Sequence, residues 1–310
     1  MNELRIEFEN KKDKLYRYPE NWDELSDRQL HKLLPLLPKL YTAADNFKKA
    51  KGNAALLKIA DSHLQHLRIK ALYILLDIKW WHLRNRIAMG ALYADELSEV
   101  LNSIDFILQA PNRVKAPFPS LIGKKYVGPD DGLKALTAEE YHFATLKMRE
   151  IAQQSEAESP NKEAIETLMR QLCFILYRPK GKGPKHDPQH PDYCGDTRSP
   201  FNRHSLETLS TKLERVPFWK IQIIVWWFGQ LNRKIQQAHP RIFSGSKENE
   251  GNSKGWLTVF RSLAKDPLKT EEIGRLRLSF LLFELGESLN ESDRINQKFK
   301  RWIYPRISIT

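Results

Sequence analysis

The densest collection of side chains able to do chemistry lies between Tyr177 and Arg198, in the run Tyr-Arg-Pro-Lys-Gly-Lys-Gly-Pro-Lys-His-Asp-Pro-Gln-His-Pro-Asp-Tyr-Cys-Gly-Asp-Thr-Arg. His186, His190 and Cys194 recur at intervals of four, with Asp187 and Asp192 beside them. Imidazole and thiolate together are a zinc donor set. Pro184, Pro188 and Pro191 break any helix that would align the three donors, and no fourth ligand stands out. The expectation is therefore no metal and no cofactor, with these three residues as the weak candidates. The front of the same segment is basic: Arg178, Lys180, Lys182 and Lys185 are interleaved with glycines that let backbone approach a phosphate. These four residues are the candidates for nucleic-acid contact, although no Gly-x4-Gly-Lys-Ser/Thr phosphate loop occurs.

No catalytic residue is assigned. Asp23-Glu24, Asp130-Asp131 and Glu139-Glu140 sit where helices begin, and there carboxylates complement the exposed amides and the helix dipole. His63 and His66 lack a His-Glu-x-x-His frame, and no Gly-x-Ser-x-Gly elbow is present. Cys173 and Cys194 make no disulfide framework, and the first residues lack the apolar core of a secretory leader, so a reducing, cytoplasmic setting is expected. The longest apolar run, 221–231, carries Gln222 and Gln230 and falls short of the about 20 residues that span a bilayer, so no membrane role is expected.

The elements that must position these groups are mainly helical. Ser26 with Gln29, and Thr137 with Glu140, have capping-box spacing. Pro35 and Pro38 should end or kink the first helix early. A long helix is expected over about 54–88 and another over about 95–108, ending at Pro111. Further helices are expected over about 137–154, 161–177, 204–213 and 217–238, with two or three more after a polar loop at 245–255. The expected organisation is an N-terminal β-hairpin in 1–20, a first helical half over 21–110, an irregular Pro/Gly-rich loop at 111–132, a second helical half over 133–302, and an extended tail at 303–310 able to pair with the hairpin or with another subunit.

A net charge of +12, from 50 basic and 38 acidic residues, favours acidic partners without specifying them. The tryptophan pairs Trp80-Trp81 and Trp226-Trp227 each close an apolar run before a basic turn, but their unequal spacing from the preceding caps favours coincidence over duplication. Adjacent helical residues diverge by about 100°, so one member of each pair should face a second layer or a partner. Trp81, Trp227 and Phe228 are the protein-interaction candidates.

In order, Tyr18-Pro-Glu-Asn-Trp-Asp-Glu-Leu-Ser-Asp-Arg-Gln29, Leu136-Thr-Ala-Glu-Glu-Tyr141, Leu176-Tyr-Arg-Pro179, Gly195-Asp-Thr-Arg-Ser-Pro-Phe201 and Gly255-Trp256 resemble an uncharacterised family from prophage and phage-like regions of Bacteroidetes-type bacteria. The resemblance spans most of the chain and brings no catalytic residue with it. It implies an assembly factor or minor structural protein of tail morphogenesis, with phage-like structural proteins as partners and incorporation in a phage-like particle as a further expectation. The alternative is a nucleic-acid-binding accessory protein that uses the basic loop at 178–185. The oligomeric state stays open.

Overall fold

A computed structural model describes residues 1–8, 11–77, 94–243, 259–260, 263–264 and 269–303. The fold is mainly α-helical, with a small antiparallel β-hairpin at the N-terminus. The chain forms two compact units, 1–117 and 118–310. The change from one to the other falls at Pro117–Phe118, inside the Pro/Gly-rich stretch.

In the first unit, β1 (Asn2–Phe8) and β2 (Lys11–Tyr18) pair antiparallel. Helices α1 (Asp27–Leu33), α2 (Leu37–Lys49), α3 (Ala54–Leu75) and α4 (Ala94–Ser103) follow. Ser26 caps α1 with the complete reciprocal box: its hydroxyl accepts from Gln29 N–H, and Gln29 Oε1 accepts from Ser26 N–H. Pro38 sits in the first turn of α2, where its missing N–H has no helical partner to lose. α1 and α2 both pack on α3 and bury Leu30, Leu33, Leu37, Leu40, Leu67, Leu72 and Leu75.

The expected helix over 54–88 is shorter than its periodicity suggested. It ends at Leu75, and Asp77 takes a left-handed φ of 47° while its carboxylate receives Lys32 at 2.8 Å. A short polar side chain tolerates that conformation, and it stops the helical hydrogen-bond ladder. Residues 78–88, with Trp80 and Trp81, lie outside the described residues, as do the loop at 245–255, Gly255-Trp256 and 304–310 of the expected tail.

In the second unit, the stretch expected to be irregular contains a hairpin, β3 (Ser120–Leu121) and β4 (Tyr126–Val127), which β5 (Arg178–Pro179) extends to three strands. Its turn runs through Ile122, Gly123 and Lys124, all at positive φ. Helices α5 (Ala138–Glu156), α6 (Lys162–Leu176), α7 (Leu206–Ser210), α8 (Phe218–Ala238), α9 (Pro240–Phe243), α10 (Thr270–Arg275) and α11 (Leu278–Ile303) complete the unit. α6 packs against α5, α7 and α8, and buries the continuous run from Gln171 to Tyr177. The start of α5 is tied to the start of α11: Ala138 N–H donates to Leu276 O at 2.9 Å, and Leu278 N–H to Leu136 O at 2.8 Å. Among the described residues no helix is long and apolar enough to cross a membrane.

Candidate functional site

Four charged side chains meet inside the second unit. Thr137 opens α5 with its own capping box, in which Glu140 N–H donates to Thr137 Oγ1 and Thr137 N–H to Glu140 Oε2, both at 3.3 Å. Glu140 therefore points back over the helix start, where the Arg178 guanidinium reaches its Oε1 in a short, charge-assisted contact. Arg178 also donates to Asp196 Oδ2 at 3.1 Å. Arg198 grips Asp196 through Nε at 2.9 Å and Nη2 at 2.8 Å, reaches Glu140 Oε2 at 3.4 Å, and donates from Nη1 to the end of α6 at Leu176 O, 2.8 Å away.

Glu140, Arg178 and Arg198 are at most 2% exposed. Two guanidinium and two carboxylate charges cancel in this space, which is the condition for burying any of them. Burial alone would push the Asp196 carboxyl up, but hydrogen bonds and charge from Arg198, with Arg178 behind it, hold it below the usual range.

This cluster clamps the base of the 178–198 loop. Lys180 bridges to Arg198, Gly181 N–H donates to Thr197 O at 2.8 Å, and Ser199 N–H to Pro179 O at 2.8 Å. Arg277 donates to Cys194 O at 2.7 Å beside Gly195, whose φ of 86° suits glycine. His186 is seated against Gly181 so closely that a β-carbon there would lie 2.2 Å from its Cγ.

The structure redistributes the sequence candidates. Arg178 belongs to the buried clamp and cannot reach a phosphate, which corrects its assignment to the basic face; Lys180, Lys182 and Lys185 stay exposed. Trp227 and Phe228 are fully buried in α8, so neither presents a surface to a partner, and the partly exposed member of that pair is Trp226. Trp81 lies outside the described residues. His186 Nδ1 turns to Asp196 O at 2.9 Å, His190 Nδ1 accepts from Asp192 N–H at 3.2 Å, and Cys194 Sγ lies 3.5 Å from Asp196 O. Among the described residues, no three His, Cys, Asp or Glu side chains are placed to hold a metal ion.

Three of the motifs that carried the family resemblance, those at 136–141, 176–179 and 195–201, supply the clamp. The motif at 18–29 makes a separate knot in the first unit. There Asp23 Oδ1 accepts from Val114 N–H at 2.7 Å and Lys115 N–H at 2.8 Å. The buried Arg113 donates to Leu25 O at 2.7 Å and Asp27 Oδ1 at 3.0 Å, and Gln29 Nε2 donates to Leu75 O at 2.5 Å. Sequence reasoning missed Asp196, Arg198 and Arg113. The paired opposite charges in Asp196-Thr-Arg198 were the available signal.

A small, largely apolar cleft at the start of α5 is lined by Glu139, His142, Phe143, Arg203, Phe260 and Thr270, among others. Burial pushes the Glu139 carboxyl up and, with the Arg149 charge, brings the His142 imidazole down to about 4. His142 is thus neutral at physiological pH. No family model, no curated protein and no solved structure matches the chain.

Proposed function

We propose that this chain works by protein–protein contact, as a non-enzymatic assembly factor or minor structural protein of a prophage-like element, cytoplasmic and destined for a phage-like particle. The observation that carries the interaction reading is the pair Phe280 and Phe283, 51% and 62% exposed, three residues apart on α11, whose neighbours Leu278, Leu281 and Leu282 are buried. Large aromatics at such exposure cost solvation unless a partner covers them, and aromatic side chains dominate the energy of protein interfaces. Leu56 and Ile59 repeat the three-residue spacing on α3 of the first unit, at 55% and 68% exposure. The charged residues with the most extensive buried contacts, Glu140, Arg178, Asp196 and Arg198, have a structural occupation in the clamp, which supports a scaffold over a catalyst. The prophage assignment and the phage-like partners rest on the motif resemblance.

The test is co-purification of the tagged protein from its native host at moderate and at high salt, beside the Phe280→Ser/Phe283→Ser variant. Identified phage-like structural proteins that persist with the parent at high salt and vanish with the variant support the reading, because apolar contacts strengthen with salting-out anions. A parent protein that recovers no such partner under either condition overturns it.

A further inference from the structure

The clamped loop holds an open groove of about 420 Å³, lined by Lys180, Gly181, Gly183, Pro184, His186, Asp187 and His190. We propose that this groove binds the phosphate group of a phosphomonoester. Its polar groups are held in place by bonds within the loop. His190 Nδ1 accepts from Asp192 N–H at 3.2 Å and lies 3.7 Å from the Asp192 carboxylate, which leaves Nε2–H as the donor the ring can offer. His186 spends Nδ1–H on Asp196 O, which leaves Nε2 as an acceptor for the hydroxyl of a protonated phosphate. Lys180 adds an ammonium within the lining, and Lys182 and Lys185 add exposed positive charge on the same loop.

Among the described residues Asp187 is the one carboxylate in the lining, and its Oδ1 accepts from Gln189 N–H at 3.1 Å. Gly183, at φ 86°, and Gly181, which the His186 ring abuts, leave backbone rather than side chain along one wall. The base cannot splay, because the buried Glu140–Arg178–Asp196–Arg198 cluster and the strand-like pairing of 180–181 with 197–198 fix both ends.

One ammonium, one imidazole N–H and one imidazole acceptor suit a single phosphate group that carries a hydroxyl. A strand of nucleic acid needs a longer basic track with aromatic stacking platforms. The volume lies at the lower end for small-molecule sites, enough for a phosphate and a small organic remainder. The proposal goes beyond the protein-contact reading and can stand or fall without it.

The test is calorimetric titration of the full chain in chloride buffer with inorganic phosphate, with phenyl phosphate, with acetate, and with one short oligonucleotide carrying or lacking a 5′-phosphate. Expected is one saturable site for both phosphate probes, a preference for the 5′-phosphorylated oligonucleotide, and at least tenfold weaker binding by Lys180→Met/His190→Phe. Lys162→Met, remote in sequence on α6, should bind as the parent does. Circular dichroism melts confirm that each variant is folded, and Lys180→Met alone serves if the double variant is not. No saturable site, equal binding of acetate, equal binding of the two oligonucleotides, or unchanged binding by the folded variant would each overturn the proposal.

Discussion

Glu140 uses one carboxylate to do two jobs: its Oε2 closes the first turn of α5 on Thr137 N–H, and its Oε1 receives the Arg178 guanidinium. Helix initiation and loop anchoring thus share one side chain. Glu140→Gln keeps a capping-competent group but leaves two buried guanidinium groups facing a single carboxylate. Uncompensated buried charge costs about 3–5 kcal/mol, so chemical denaturation should show a loss of that order. Glu139→Gln, one residue away and outside the clamp, should cost far less.

Arg113 in the first unit should resist conservative replacement. A lysine cannot reproduce the fork that reaches Leu25 O and Asp27 together. Arg113→Lys should lose about 1–3 kcal/mol, the range for leaving a buried hydrogen-bonding group unpaired. Amide hydrogen exchange across α1 should quicken.

His142 gives the second unit an acid-sensitive term. Its folded pKa, about 4, lies below the ordinary histidine value, so the unfolded chain takes up a proton first as pH falls. The His142 contribution is therefore full above about pH 6.5, declines between there and about pH 4, and is lost below. The loss approaches about 3 kcal/mol at most. His142→Phe should flatten this part of the stability profile measured by urea titration at stepped pH, and an unchanged slope would remove His142 as its source.

Gly195 holds φ at 86° beside the Arg277 guanidinium. Gly195→Ala imposes left-handed backbone on a residue with a β-carbon, a cost of about 1–2 kcal/mol. The flexible Arg277 tip can move aside, so its bond to Cys194 O should be lost while the fold persists. Protection of the amides at 194–197 against exchange would report it.

Phe280→Ser/Phe283→Ser should leave stability within about 0.5 kcal/mol of the parent, since neither ring is buried. Matched melts with loss of the partner would separate a contact role from a folding role.

What the sequence disclosed was local. Ser26 with Gln29 and Thr137 with Glu140 were legible because both members of each capping box lie within one helical turn. The clamp was not legible: Glu140 is 38 residues from Arg178 and 58 from Arg198, and only the packing of α5 on α6 brings them together. Arg178 read as one of a basic run because its lysine neighbours really are solvated. Helical divergence alone does not say which tryptophan turns outward: α8 buries Ile223, Ile224, Val225, Trp227 and Phe228 on more than one face and leaves Trp226 partly exposed.

The closed base of the 178–198 loop also sets where this protein can change. Among the described residues, 182–192 bond mainly within the loop, while their ends are fixed by charges buried beneath it. Substitutions at the tip therefore alter what the loop offers to solvent without reaching the fold, and the protein can acquire a new recognition surface there by mutation while its architecture stays constant.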